Sequence, residues 1–146
     1  MESNKTFGQF MTEVLNKADE LSFEKWGRPL SDKYEAPSTI LKMIGSITTA
    51  GWKGFNALSK LLSNVSYFAF ATALGAFILS PIGISVVGSL VYWGGKDSLK
   101  LLYNNRTLVE AVKKVGDKYK SRFEECTTSE GYDQLVTDAA NDLCNL

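Results

Sequence analysis

The sequence predicts an all-α fold of about five helices, on three observations. Apolar residues recur at three- and four-residue steps through most of the chain, glycine and proline punctuate them at helix-length intervals, and the only β-like run is the ambiguous stretch 82–91. With 146 residues, 45% of them hydrophobic, a single domain with a buried core follows, and wholesale disorder does not. The two cysteines, Cys126 and Cys144, are too few for a disulfide-stapled scaffold, and in a chain without histidine they cannot complete a zinc site.

The elements follow in order. Phe7, Phe10, Met11, Val14, Leu15, Ala18 and Leu21 share a helical face, with Glu13, Lys17, Glu20 and Glu24 set between them. This predicts an amphipathic first helix that ends near Trp26, ahead of Gly27-Arg28-Pro29. After a loop to about Pro37, Ser38 stands as the cap of a second helix that turns Ile40, Ile44, Ile47, Phe55, Leu58 and Leu62 to one side. Its charges are Lys42, Lys53 and Lys60 alone, and Gly45, Gly51 and Gly54 lower helix propensity while permitting close approach of another backbone.

Toward the C-terminus, Ser98 is placed to cap a helix beginning at Leu99. Thr107-Leu108-Val109-Glu110 reads as a capping box that restarts it after Asn104-Asn105, so one interrupted helix or two are expected there. Leu108, Val112, Val115, Tyr119 and Phe123 form the apolar stripe, opposite Lys113, Lys114, Lys118 and Lys120. Thr128 or Ser129 then opens an acidic last helix with Tyr132, Leu135, Val136, Ala139 and Leu143 on one face, whose carboxylates suit the lysine-rich helix before it.

The middle of the chain is different. The 16 basic and 16 acidic side chains balance overall, yet no carboxylate stands between Glu35 and Asp97, and residues 61–95 carry no charge of either sign. An uncharged run of that length is unusual for a domain surrounded by water. Inside it, Ser80-Pro81-Ile82-Gly83 is a reversal signal, because Pro81 lacks an amide proton and Gly83 tolerates positive φ. The prediction is a hairpin over 61–95 whose arms each reach about 20–22 Å as helices, short of the roughly 30 Å hydrocarbon core. A single kinked helix over 65–93 would reach about 43 Å. Basic residues flank the run on both sides, which favours the hairpin, with both chain ends on the cytoplasmic side. Small residues four apart (Ala69 and Ala73, Ala71 and Gly75, Ser85 and Ser89) make a groove through which the arms could pack on each other or on copies.

The leading functional expectation is therefore a membrane-associated helical protein whose hairpin inserts into a bilayer, forming a pore by oligomerisation or disrupting the membrane. The residues assigned to the hairpin and its turn are Phe68, Phe70, Leu74, Gly75, Phe77, Ile78, Pro81, Gly83, Val87 and Leu90; Trp52, Lys53, Lys60, Tyr92, Trp93 and Lys96 are assigned as interface anchors. The strongly apolar residues of the first arm contribute about −2 to −4 kcal/mol on an insertion scale, a marginal figure that suits conditional entry as well as permanent residence. Around residues 61–95 the plan is similar in outline to pore-forming colicin domains and Bcl-2-like proteins, where amphipathic helices wrap an apolar helical hairpin; the likeness is one of pattern, without a shared motif. The alternative is a cytoplasmic helical-bundle module for protein–protein interaction, with the same hairpin as its buried core.

Other classes are weaker. Catalysis is not expected: histidine is absent, Gly94-Gly95-Lys96 lacks the rest of a phosphate loop, and the adjacent Glu124 and Glu125 lie on different helix faces. Acids interleave with the basic residues near Lys113 and there is no net positive charge, which argues against nucleic acid. No cofactor, metal or small-molecule substrate is indicated. The expected partners are a lipid membrane and, second, further copies of the chain. Residues 1–17 mix acids and bases with apolar residues, so no signal peptide is expected.

Overall fold

A computed structural model describes the backbone of residues 5–34, 39–63, 66–92 and 96–145, and the side chains of all of these except 33, 34, 39, 87, 89–92 and 96. Among the described residues there are eight α-helices and no strand. They are α1 (Phe7–Trp26), α2 (Thr39–Ala50), α3 (Trp52–Leu62), α4 (Tyr67–Phe77), α5 (Pro81–Tyr92), α6 (Lys96–Asn104), α7 (Arg106–Glu125) and α8 (Ser129–Asn145), with a 3₁₀ turn at Leu30–Tyr34. The all-α class holds, but the count is eight where about five were expected. Extended backbone at Gly51, a poor helix former, divides the expected second helix into α2 and α3. Asn105 divides α6 from α7, two residues before the expected cap Thr107, so that Thr107 lies inside α7.

The helix ends follow local chemistry. Thr6 Oγ1 accepts the Gln9 amide at 3.1 Å and the Gln9 side chain accepts the Thr6 amide at 2.9 Å, a reciprocal cap for α1. Gly27, at φ 70°, closes α1 in the left-handed region. Thr128 Oγ1 accepts the Gly131 amide at 3.0 Å and so caps α8. The expected cap at Ser38 lies outside the described residues.

Helix α1 packs along α8 on one side and α2 on the other, and α7 closes against α8. Each presents the face expected from its spacing: Phe10, Met11, Val14, Leu15 and Ala18 from α1 are buried, as are Leu108, Val112, Val115, Tyr119 and Phe123 from α7. An aromatic cluster joins four helices. Phe7 meets the Trp52 ring edge-on at 5.0 Å and Phe123 at 5.3 Å, Phe10 reaches Phe123 and Tyr132, and Trp52 stacks on Phe55 at 4.9 Å. Two glycines make room for this packing. A Cβ at Gly116 would collide with the Trp52 indole, and one at Gly8 would strike the Thr48 carbonyl where α1 crosses α2. At that crossing the Thr12 hydroxyl lies 2.8 Å from Thr48 Oγ1 and 2.7 Å from Thr49 Oγ1.

Charge pairing between α7 and α8 is also as expected. Lys118 donates to Asp142 at 2.6 Å and Arg122 to Asp138 at 3.0 Å. The Tyr119 hydroxyl donates to the same Asp142 carboxylate at 2.6 Å. Hydrogen bonds from Lys118 and then Tyr119 hold the Asp142 carboxyl below its usual range, while burial and then the hydrogen bond to Asp142 push the Tyr119 phenol up to about 12.

Two predictions follow from this packing. Replacing Gly116 with Ala forces the Trp52 ring off α7 and is expected to cost about 1–3 kcal/mol, read as a lower urea midpoint at unchanged slope. The lowered Asp142 value means that its contribution is complete above the ordinary carboxylate range and is lost as pH falls below about 4. The wild-type chain should therefore exceed Asp142→Asn in urea midpoint at pH 6, with the gap narrowing toward pH 3. A gap that is constant over that range would exclude the pairing as its cause.

Candidate interaction surface

The uncharged middle of the chain becomes α4, α5 and the turn between them. Ser66 Oγ accepts the Ala69 amide and starts α4; Ser80 Oγ accepts the Gly83 amide and starts α5, with Pro81 in the first helical position where no amide is needed. A Cβ at Gly83 would collide with the Phe77 carbonyl, so glycine is required for so tight a reversal. The chain thus reverses at Ile78–Ser80, a little earlier than the expected Ser80–Gly83, and Pro81 to Gly83 form the first turn of α5.

What the two helices do beyond the turn departs from expectation. They do not run together as a packed pair: α4 lies on α3 and α6, whereas α5 lies across α2 and α3. At 11 and 12 residues they measure about 16 and 18 Å, roughly half the hydrocarbon thickness of a bilayer. Among the described residues no helix is long and apolar enough to cross a membrane. That finding overturns the membrane-inserting and pore-forming reading. The uncharged length of 61–95 overstated its reach, because the turn cuts it into short helices that each pack one face on the bundle.

Individual residues sort accordingly. Phe70 and Leu74 of α4 and Gly83 and Val86 of α5 are buried in the bundle. Phe70 stacks on Tyr103 at 5.8 Å, and Arg106 lies over the same Tyr103 ring at 4.3 Å. Phe77 is half-buried. Trp52, expected as an interface anchor, sits inside the aromatic cluster at 7% exposure. Lys53 and Lys60 are exposed. The Trp93 position and the side chains of Val87, Leu90, Tyr92 and Lys96 lie outside the described residues. The helical-bundle alternative fits these positions better: among the described residues of 61–95, Phe70, Leu74, Gly83 and Val86 join the buried core while others stand exposed at the surface.

That surface is strongly apolar. Phe68 is 80% exposed, Leu79 84%, Ile84 65%, Ile82 43% and Ile78 39%. On α4 the exposed positions Phe68, Thr72, Gly75 and Ala76 recur at helical spacing and form one stripe, and Leu79 is exposed just beyond the helix in the turn. Nothing lies within 4 Å of where a Gly75 Cβ would sit. A mid-helix glycine gives up about 1 kcal/mol against alanine, and among the described residues no neighbour accounts for it. Exposed apolar patches beyond a few hundred Å² mark interaction sites in folded proteins. Periodicity could have found this stripe in the sequence, since Phe68 and Phe70, two residues apart, fall on different faces of a helix, but only the packing of α3 and α6 decides which side is covered.

The other concave features are minor. A cleft of about 420 Å³ between the end of α3 and the start of α7 is lined by Lys60, Arg106, Glu110 and Lys113 with the hydroxyls of Ser59, Ser63 and Thr107. Its cations are partly engaged: Arg106 donates to the Tyr103 carbonyl at 2.8 Å and Lys113 pairs with Asp117 at 2.7 Å. Cys126 and Cys144 are free thiols, the latter buried with its Sγ 3.0 Å from the Ala18 carbonyl. Among the described residues no group of three metal-ligating side chains comes together.

The two sides of α4 should respond oppositely to truncation. Phe70→Ala is expected to cost about 3–5 kcal/mol in urea unfolding, while Phe68→Ser in dilute protein stays within about 0.5 kcal/mol of wild type. Equal losses would mean that Phe68 is covered. No protein-family model matches the chain, and no curated protein or solved structure matches it significantly.

Proposed function

We propose that the chain is a non-catalytic helical-bundle module for protein–protein interaction, docking its partner through the uncharged outer face of α4 and the α4–α5 turn. The observation that carries this reading is the clustering in sequence of five exposed large apolar residues, Phe68, Ile78, Leu79, Ile82 and Ile84; among the described residues the other exposed large apolar side chains are Phe23 and Trp26 at the end of α1. Large apolar side chains held in water on rigid helices supply the hydrophobic term that drives association. The bundle fixes their geometry, because Phe70, Leu74 and Val86 anchor the same two helices from beneath. Little ordering entropy is then lost when a partner docks.

A photo-reactive phenylalanine placed singly at positions 68, 79 and 120 tests the reading in the native cells. Lys120 is exposed on α7 and serves as the control face. The expected result is a discrete protein adduct from 68 and from 79, none from 120, and loss of the position-68 adduct when Leu79→Lys is added to the same chain. Equal labelling from all three positions, or none, would overturn the proposal.

A further inference from the structure

We infer that the cleft between the end of α3 and the start of α7 binds the phosphate group of a small phosphate ester. The site is separate from the outer face of α4 and does not depend on the interaction reading above. Its residues come from two distant stretches of sequence, 59–63 and 106–113, which the packing of α3 on α7 brings together. At about 420 Å³ the cleft is of the size that takes small ligands.

Charge is the first support. Lys60, Arg106 and Lys113 line the cleft against one carboxylate, Glu110. Lys113 is paired with Asp117 at 2.7 Å, and Glu110 lies 3.8 Å from Lys114. Lys60 and Arg106 pair with no carboxylate among the described residues. For Lys60 the cause lies in the sequence, since no acid stands between Glu35 and Asp97. Cations without counter-ions in one concavity concentrate a positive field there, which draws an anion.

Geometry is the second support. The Arg106 guanidinium is held from one side, lying over the Tyr103 ring at 4.3 Å and donating to the Tyr103 carbonyl at 2.8 Å. That contact uses a single donor, so most of the planar fork stays open in a fixed orientation. Asn105 turns its side-chain amide back to the Leu101 carbonyl at 2.8 Å, and α7 begins without a side-chain cap. The positive end of α7 therefore stands at the cleft, together with the Thr107 hydroxyl, which has no hydrogen-bond partner among the described residues. The hydroxyls of Ser59 and Ser63 already donate to carbonyls of α3.

A phosphate group has the charge and the tetrahedral oxygens to accept from a guanidinium fork, an ammonium and a hydroxyl at once, where a carboxylate has too few. Leu62 and Val109 supply the apolar part of the lining, so the carbon body of an ester is accommodated beside its charge.

Amide NMR of the purified full chain tests the site, with inorganic phosphate, AMP and adenosine each titrated to about 10 mM at constant ionic strength. Saturable shifts at Arg106 and Thr107 are expected with both phosphates, tighter with AMP, and none with adenosine. Arg106→Lys, which keeps the charge and loses the fork, should weaken AMP binding about tenfold, and Lys60→Gln by a similar factor. Glu110→Gln should tighten it about twofold by removing the repelling carboxylate. Lys120→Gln, at an exposed position of α7 outside the cleft, should leave it unchanged. Should Arg106→Lys or Lys60→Gln lose helix content, Thr107→Val at an exposed position decides, since it removes a donor and should also weaken AMP binding. Shifts that never saturate overturn the assignment, as does an affinity untouched by these substitutions. Saturation by inorganic phosphate but not by AMP overturns the ester as ligand. An RNA oligonucleotide that binds at these residues while AMP does not overturns the small-molecule reading.

Discussion

Everything in this bundle is organised around the ring of Trp52 lying on Gly116. Phe7 meets that ring edge-on and Phe55 stacks upon it, so α1, α3 and α7 are positioned by one indole. Phe10, Phe123 and Tyr132 extend the cluster into α8. Large aromatics contribute much buried area for few rotatable bonds, which is why a chain of this length can close a core with short helices. The indole Nε1 finds no acceptor among the described residues, so ring packing, not a hydrogen bond, holds it there.

That constraint propagates to the surface. Because Trp52 pins the start of α3, Gly54 two residues on lies against Val86 and Ile82, and α5 crosses α3 at that point. Helix α4, leaving from the far end of α3, is covered beneath by Tyr67, Phe70 and Tyr103 in a second, smaller aromatic group. Each of the two uncharged helices is thereby held on one side only. The outer side of α4 stays open because eight short helices cannot wrap every apolar face of a chain that buries only about two-thirds of its surface.

Polar contacts refine the arrangement more than they create it. The pairs from Lys118 and Arg122 to the carboxylates of α8 set the register of α7 on α8, and Tyr132 donates to Glu13, which Lys5 also contacts at 2.9 Å, joining α8 to α1. All lie at the edge of the aromatic cluster, where partial exposure limits each to a modest contribution. The α4–α5 region has no such contacts to offer, since it lacks charge, and its specificity must come from shape.

By itself the sequence determined the helical class, the ends of α1, a break in the chain close to Pro81, and the inward faces of α1, α7 and α8, because periodicity, caps and turn residues are local properties read over a few residues. It also marked 61–95 as free of charged side chains. What it could not decide was the environment of that region. Absence of charge is compatible with lipid, with a core and with an interface alike, and hydropathy does not record where a chain bends or what lies beneath it. Tertiary packing made that decision. The partners of Phe70, Leu74 and Val86 come from helices far along the chain, and once those were in place Phe68 and Leu79 were left outward and Trp52, read as a surface anchor, was enclosed.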